Sequence, residues 1–278
     1  MLKRLFIPVL ILVLTFLGSA KSNASIVKQA NDDMSLGYDV YAGGMRALHA
    51  SLAMNMTQAE YEVALDARTQ GFIGKIFPWK GHYETLGTTD GDSLSPKEYK
   101  SVSIWKKKAK QTRLEYKDGA FKAKHTLKNG KTTTQTKIKD KLTKDTVDML
   151  TGAVQLLQKT GHENGCNGSV PVFDGKRRFN LVFKDQGKDT IRKTKYSVFH
   201  GQAIKCIVEV EPVLGFKEKD KKRGWMAVQN HTKERKKMPT IWLASINDNG
   251  PVVPVRMEIN SSYGGVVAHL ARTKIKNN

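Results

Sequence analysis

The hydrophobic positions of this chain mostly recur with period two. Tyr61, Val63, Leu65 and Ala67 alternate with Glu62, Ala64, Asp66 and Arg68. Leu114 and Tyr116 alternate with Arg113, Glu115 and Lys117, and Phe121, Ala123 and His125 with Lys122 and Lys124. Phe179, Leu181 and Phe183 share a face; so do Ile204, Cys206, Val208 and Val210, opposite Lys205 and Glu209. Ile241 and Leu243, Val253 and Val255, and Met257 and Ile259 repeat the theme. Such alternation predicts strands with one apolar and one wet face, hence antiparallel sheet. Turn dipeptides punctuate it: Asp90-Gly91, Asp118-Gly119, Asn129-Gly130, Asp174-Gly175 and Asn249-Gly250.

One stretch changes period. Val147, Leu150, Val154 and Leu157 fall on a single helical stripe, predicting an amphipathic helix over about 144–158. Asp145 and Asp148 suit its first turn and Gly161 its end. One helix amid so many strands would most economically cover the open face of a curved sheet; packing at one end of a sandwich is the alternative. The expected fold is therefore mainly β: a strongly curved antiparallel sheet, half-barrel or open barrel, with one amphipathic helix packed on it. Residues 217–237, a Lys-rich stretch with Trp225 and Met226, read as an irregular loop, and residues 25–35 as a polar leader.

The first residues set the compartment. Lys3 and Arg4 precede an apolar run from Leu5 to Leu17, followed by small residues through Ala24. A run this short gives about 20 Å of helix at about 1.5 Å per residue, too little for a bilayer core. We expect a cleavable export signal over residues 1–24, cut after Ala24, with Ala20 as second choice and an uncleaved inner-membrane anchor as the alternative. A single β domain over 36–278 and a periplasmic location are then expected.

The chain has 278 residues, 47 Lys+Arg against 26 Asp+Glu, and a formal net charge of +21. In a cytoplasmic protein that surplus would point to nucleic acid; in an exported one it points to anionic lipid or surface polymers, and no nucleic acid partner is expected. Residues 106–144 hold 14 basic and 3 acidic residues, and residues 217–237 hold 9 and 3. In the first stretch the lysines alternate with the apolar residues, which assigns them to the wet face of a meander.

Cys166 and Cys206 are the only cysteines. In an oxidising compartment they read either as a structural disulfide or as two buried thiols. No two of the seven histidines have metal-ligand spacing; no HExxH, GxSxG or phosphate-cradling glycine motif occurs. No catalytic residue, metal or cofactor is nominated. Two segments are candidate sites. Phe72, Ile73, Ile76, Phe77 and Trp79, set among Gly71, Gly74, Pro78 and Gly81, form either an apolar lip beside Lys75 and Lys80, able to touch a ligand or membrane, or a plug in one end of the core. Arg177 and Arg178 must point to opposite faces if they start a strand; the inward one would hold an anionic head or close a salt bridge.

These residues, in order, resemble the DUF3108 family of exported proteins of unknown function. The specific blocks are Cys166-Asn167-Gly168 leading to Asp174-Gly175-Lys176-Arg177-Arg178-Phe179, and Gly201-Gln202-Ala203-Ile204-Lys205-Cys206. Tyr38-Asp39-Val40-Tyr41 and Val253-Pro254-Val255-Arg256 lie near the ends of the resemblance. The resemblance implies a periplasmic curved sheet, similar in architecture to lipoprotein carriers and lipid-handling half-barrels, and it supports pairing of the two cysteines. Three functional expectations follow. The first is non-enzymatic binding of a hydrophobic ligand, such as a lipid acyl chain, or of a partner peptide. The second is a scaffold for envelope proteins, and the third, less favoured, an envelope hydrolase.

Overall fold

The computed structural model describes residues 34–222, 224–247, 250–261 and 264–275. The expected signal and its cleavage site lie outside these residues, as do residues 25–33 of the leader; Met34 and Ser35 already belong to the first strand.

In chain order the strands are β1 (Met34–Ala42), β2 (Met45–Met56), β3 (Glu60–Thr69), β4 (Trp79–Asp90), β5 (Ser93–Trp105), β6 (Lys108–Lys117), β7 (Ala120–Lys128), β8 (Lys131–Gln135), β9 (Gly168–Phe173), β10 (Arg178–Ile191), β11 (Gly201–Leu214), β12 (Thr240–Ser245), β13 (Val252–Ser261) and β14 (Gly264–Ile275). The helices are α1 (Gly71–Ile76), α2 (Asp140–Thr143), α3 (Met149–Glu163), α4 (Glu218–Lys221) and α5 (Gly224–Glu234). The fourteen strands of the described residues form one antiparallel sheet in the order β8-β7-β6-β5-β4-β3-β2-β1-β14-β13-β12-β11-β10-β9. β8 and β9 end the sheet and do not pair with each other, so the curve stays open. The expected turns at Asp118-Gly119 and Asn129-Gly130 are two-residue hairpin turns with both residues at positive φ, the geometry that matches strand twist.

The apolar face curves inward and is filled by helices. α3 touches β4 and β5 on one side and β9, β10 and β13 on the other, so it lies inside the curve. Leu150 joins Tyr83, Tyr99, Leu114 and Phe173; Val154 joins Leu36, Tyr61 and Val255; Leu156 and Leu157 join Phe179, Cys206 and Leu243. The seam left by β8 and β9 is closed by side chains, with Phe121 packed edge-on to Phe173 at 5.3 Å.

Four sequence expectations shift. α3 starts at Met149 rather than near 144, because Asp148 is its N-cap and accepts from the Leu150 and Thr151 amides. Val147, read as part of the helical stripe, instead bridges to Val172 of β9. Gly161 does not end the helix; Asn164 does, in the left-handed conformation. Residues 217–237 are no irregular loop, since they form α4 and α5. Val228 of α5 packs on Ile259 and Val266. Gln229 is buried because its amide completes the backbone of β11: Val210 N donates to Oε1 at 2.7 Å, and Nε2 donates to the Val210 carbonyl at 2.9 Å.

Candidate functional site

Antiparallel alternation sends every other connection to the same end of the sheet. One end gathers the β1–β2 turn, α1, the β5–β6 turn, the β7–β8 turn, the β9–β10 turn and the segment from β11 to β12, and the segment from β8 to α3 folds back to it, where Lys144 meets Arg178 and Val147 meets Val172. Over their described residues these connections carry a net charge of +10; those at the opposite end carry +1. The charge therefore has a polarity that its scatter in sequence hides.

The same end displays apolar side chains. The 71–81 segment divides in two. Ile73 and Trp79 are core residues, 8% and 3% exposed, and the Trp79 indole donates to Ser103 Oγ at 3.1 Å. Phe77 is half-buried against Trp105. Phe72 and Ile76, on the outer side of α1, are 63% and 45% exposed. Met45 in the adjoining β1–β2 hairpin is 50% exposed and Ile104 on β5 is 37%. Lys75, Lys80, Lys106 and Lys107 lie in or beside the same connections. Gly71 explains the geometry of α1: its φ of +57° begins the helix with a sharp reversal, and a β-carbon there would sit 3.2 Å from the Arg46 carbonyl.

A second feature lies on the inner face of β4–β8. Rows of side chains in register cross these strands. Tyr83, Ser101, Thr112, Thr126 and Thr133 pair in sequence across β4, β5, β6, β7 and β8. Beside them run Ser103, Lys110, Lys128 and Lys131. Lys124 pairs with inward Leu114. This corrects the expected wet-face location of Lys124 and Lys128: Lys122 is an extra residue in β7, where the register slips between Glu115 and Tyr116. The bulge flips every later side chain, so Lys124, Thr126 and Lys128 join the face of Leu114 and Thr112. The β9–β10 turn faces this strip, with Gly175 against Thr112, Leu114 and Lys124. Burial, reinforced by the charge of Lys124, lowers the Lys110 ammonium to about 8; Lys128 and Lys176 push the same way and Asp174 opposes them. Lys124 is also lowered, chiefly by burial.

Arg177 and Arg178 do diverge, and neither reaches the deep interior. Arg177 Nε donates to Asp174 Oδ2 at 2.7 Å, and its guanidinium lies 5.1 Å from the Phe216 ring centre. Arg178 Nη1 donates to the Lys144 carbonyl at 2.8 Å, tying α2 to β10. The cysteines are joined: Cys166, before β9, is disulfide-bonded to Cys206 of β11, and both are buried. On the convex side a groove of about 370 Å³ is lined by Ser35, Gly37, His49, Ser51, Arg272 and Lys274. Nearby Asp39, 3% exposed, is paired with Arg46 at 2.9 Å and His49 at 3.1 Å. Among the described residues no cluster of His, Cys, Asp or Glu could hold a metal, and no helix is long and apolar enough to cross a membrane.

The sequence marked the 71–81 segment as apolar but left open whether it was a lip or a core plug; the inner polar strip had no sequence reading. Its signal was the Lys-Thr content of 124–133 after a Gly-containing hairpin turn, but the face those residues occupy depends on one bulge.

Fold and surface together define an open, helix-filled antiparallel β half-barrel with one basic, apolar-tipped end. The family model described as "Protein of unknown function (DUF3108)" matches residues 37–271, most of the chain, and the protein belongs to that family. A solved structure similar to it is a beta-barrel-like protein with a domain of unknown function, DUF1849, from Brucella abortus: 12% identity, 88% of this chain and 98% of the other covered, TM-score 0.47. No curated protein matches the sequence.

Proposed function

We propose that this protein is a non-enzymatic component of the cell envelope that engages lipid from the periplasmic side through its basic end. One observation carries the reading: exposed Phe72, Ile76, Met45 and Ile104 sit at the end of the sheet where the positive charge is concentrated. Lysines attract an anionic surface at a range of about 10 Å in ordinary salt, and each contributes about 1 kcal/mol near it. Phe72 and Ile76 then reach the acyl region, where burial of apolar area adds about 25 cal/mol per Å². The inner face is occupied by α3 and α5, so the acyl chains are met at the end of the barrel rather than in a deep interior cavity.

The test is co-sedimentation with vesicles of phosphatidylglycerol and of phosphatidylcholine. The protein is expected to bind the anionic vesicles, less so as salt rises. Phe72→Asp with Ile76→Asp should weaken binding at least tenfold without loss of folding. Equal binding to both lipids, or an unaffected double variant, would rule the reading out.

A second reading has its own support. β8 is paired on one side only and all five of its residues are exposed, so a partner peptide could extend the sheet there. Crosslinking from residue 133 in cells that captures one specific protein, with no lipid bound in vitro, would favour this scaffold role.

A further inference from the structure

The two ends of the open sheet are finished differently. On β9 the chain covers its own outer edge: the Val147 amide donates to the Pro171 carbonyl at 3.1 Å, and the Phe173 amide donates to the Val147 carbonyl at 2.9 Å. Pro171 also puts no donor on that edge. β8 has neither device. It reads Lys131-Thr132-Thr133-Thr134-Gln135, without proline, and pairs with β7 in unbroken register from Lys128↔Lys131 to Lys124↔Gln135. All five residues are exposed. Among the described residues no backbone hydrogen bond crosses its other edge, and residues 136–139 make none back to it. Natural sheets protect such edges with proline, bulges or a covering segment, and three consecutive threonines strongly favour an extended strand.

The geometry fixes which groups are offered. A two-residue turn makes Lys128 and Lys131 a hydrogen-bonded pair, so by alternation the amide and carbonyl of Thr132 and of Thr134 point away from β7. Lys131 and Thr133 share a face with Lys128 and Thr126; Thr132 and Thr134 lie on the other face. Charge then selects what can approach. Residues 120–144 hold eight lysines and one acid, Asp140. A basic strand, or a second copy of this chain with its net charge of +21, is repelled there.

We propose that β8 takes up an extended acidic segment of a partner protein as one more antiparallel strand. The proposal rests on the scaffold reading above and names its partner's chemistry. Main-chain hydrogen bonds to Thr132 and Thr134 supply the pairing. Acidic side chains opposite Lys131 and Thr133 supply the choice of partner, since opposite charges across a pair stabilise it. The recognised segment therefore alternates, with acids on the lysine face and β-branched residues opposite Thr132 and Thr134.

Fluorescence anisotropy of the purified protein with a labelled, end-blocked peptide of alternating Glu and Thr tests it. The peptide is expected to bind, more weakly as salt rises, and its counterpart with Lys in place of Glu at least tenfold more weakly. In the bound register the Thr amides face β8 and the Glu amides face solvent. Methylating the Thr amides should cost at least tenfold, and methylating the Glu amides should cost little; equal effects would mean adhesion by charge alone and would overturn the proposal. Thr132→Pro removes an outward amide without touching the β7 ladder, and should lose at least tenfold in affinity at an unchanged unfolding midpoint. Lys128→Glu with Lys131→Glu should reverse the preference, toward the Lys-Thr peptide. Phe72→Asp with Ile76→Asp should leave peptide binding unchanged, which separates the edge from the apolar tip. Folded wild type that does not bind the Glu-Thr peptide, or a Thr132→Pro variant that binds it like wild type, would sink the proposal. So would dimerisation of wild type that Thr132→Pro abolishes, which assigns the edge to a second copy. A protein crosslinked from residue 133 in cells through a segment that is not acidic would overturn the acidic partner and leave the scaffold reading standing.

Discussion

Asp148 is the residue on which the most structure converges. Its Oδ1 accepts from the Leu150 and Thr151 amides, both at 3.0 Å, and its Oδ2 from the Thr151 hydroxyl at 2.6 Å and the Thr85 hydroxyl at 3.0 Å. Tyr61 Oη shares a 2.8 Å hydrogen bond with Thr151. The carboxyl is fully buried, and burial raises its pKa despite these donors. Asp148 thus caps the central helix and pins it to β4, while Thr151 ties it to β3. Asp148→Ala removes the cap and the carboxylate acceptor that the Thr85 and Thr151 hydroxyls share; from the usual cost of each we expect a loss of about 2–4 kcal/mol. Asp148→Asn keeps the capping oxygen and should cost less than half as much. Denaturant unfolding of the two variants checks both values. The cap was half visible in sequence: Asp148 sat in an acidic helix start, but Asp145, its equal on paper, has a φ of +54° and lies outside the helix.

At the scale of elements, the convex face of β3–β6 carries a cross-strand ladder of charge. Asp66 meets His82 at 2.9 Å, Lys100 meets Glu98 at 2.7 Å, and Arg113 meets Glu98 at 3.2 Å and Glu115. Hydrogen bonding to Asp66 and then Glu84 raises His82 to about 9. A histidine raised in the folded state stabilises it fully below the unfolded value of about 6.5 and stops doing so as pH rises through 9. His82→Gln should therefore destabilise the protein at pH 6 and make little difference by pH 10. Unfolding free energies of both proteins across that range, and an NMR titration of His82 with its midpoint near 9, check the sign. The ladder was invisible in sequence because its members come from four strands. The β7 bulge shows the same limit: perfect alternation was a fair reading of 113–125, and one extra residue inverted half of it.

For the whole molecule, the disulfide and the distribution of charge matter most. Cys166 and Cys206 close a loop of 40 residues that contains β9, a strand of the open seam, and its neighbour β10. In the chain-entropy picture such a loop contributes about 3–4 kcal/mol. Replacing both cysteines by alanine should lower stability by that amount. The oxidised protein should also weigh two hydrogens less than the reduced one; free-thiol labelling of both cysteines in unreduced, denatured protein would contradict the bond. The seam has no hydrogen-bonded ladder of its own, so loosening should begin there, visible as early amide exchange in β8 and β9.

Sequence alone determined the alternating strands, the hairpin turns, the presence of one amphipathic helix and the apolar character of the 71–81 segment. Each is written in local spacing, where period two, period 3.6 and Gly conformations act over a few residues. Tertiary structure decided the rest. It placed α3 inside the curve, made Val147 a sheet partner rather than a helical one, and buried Gln229 as a stand-in for a strand. It split Phe72 and Ile76 from Ile73 and Trp79, turned Lys124 and Lys128 inward, and gathered dispersed charge at one end. The physical reason is common to all: which way a side chain faces, and what it meets there, depends on register summed over fourteen strands, and a single bulge resets it.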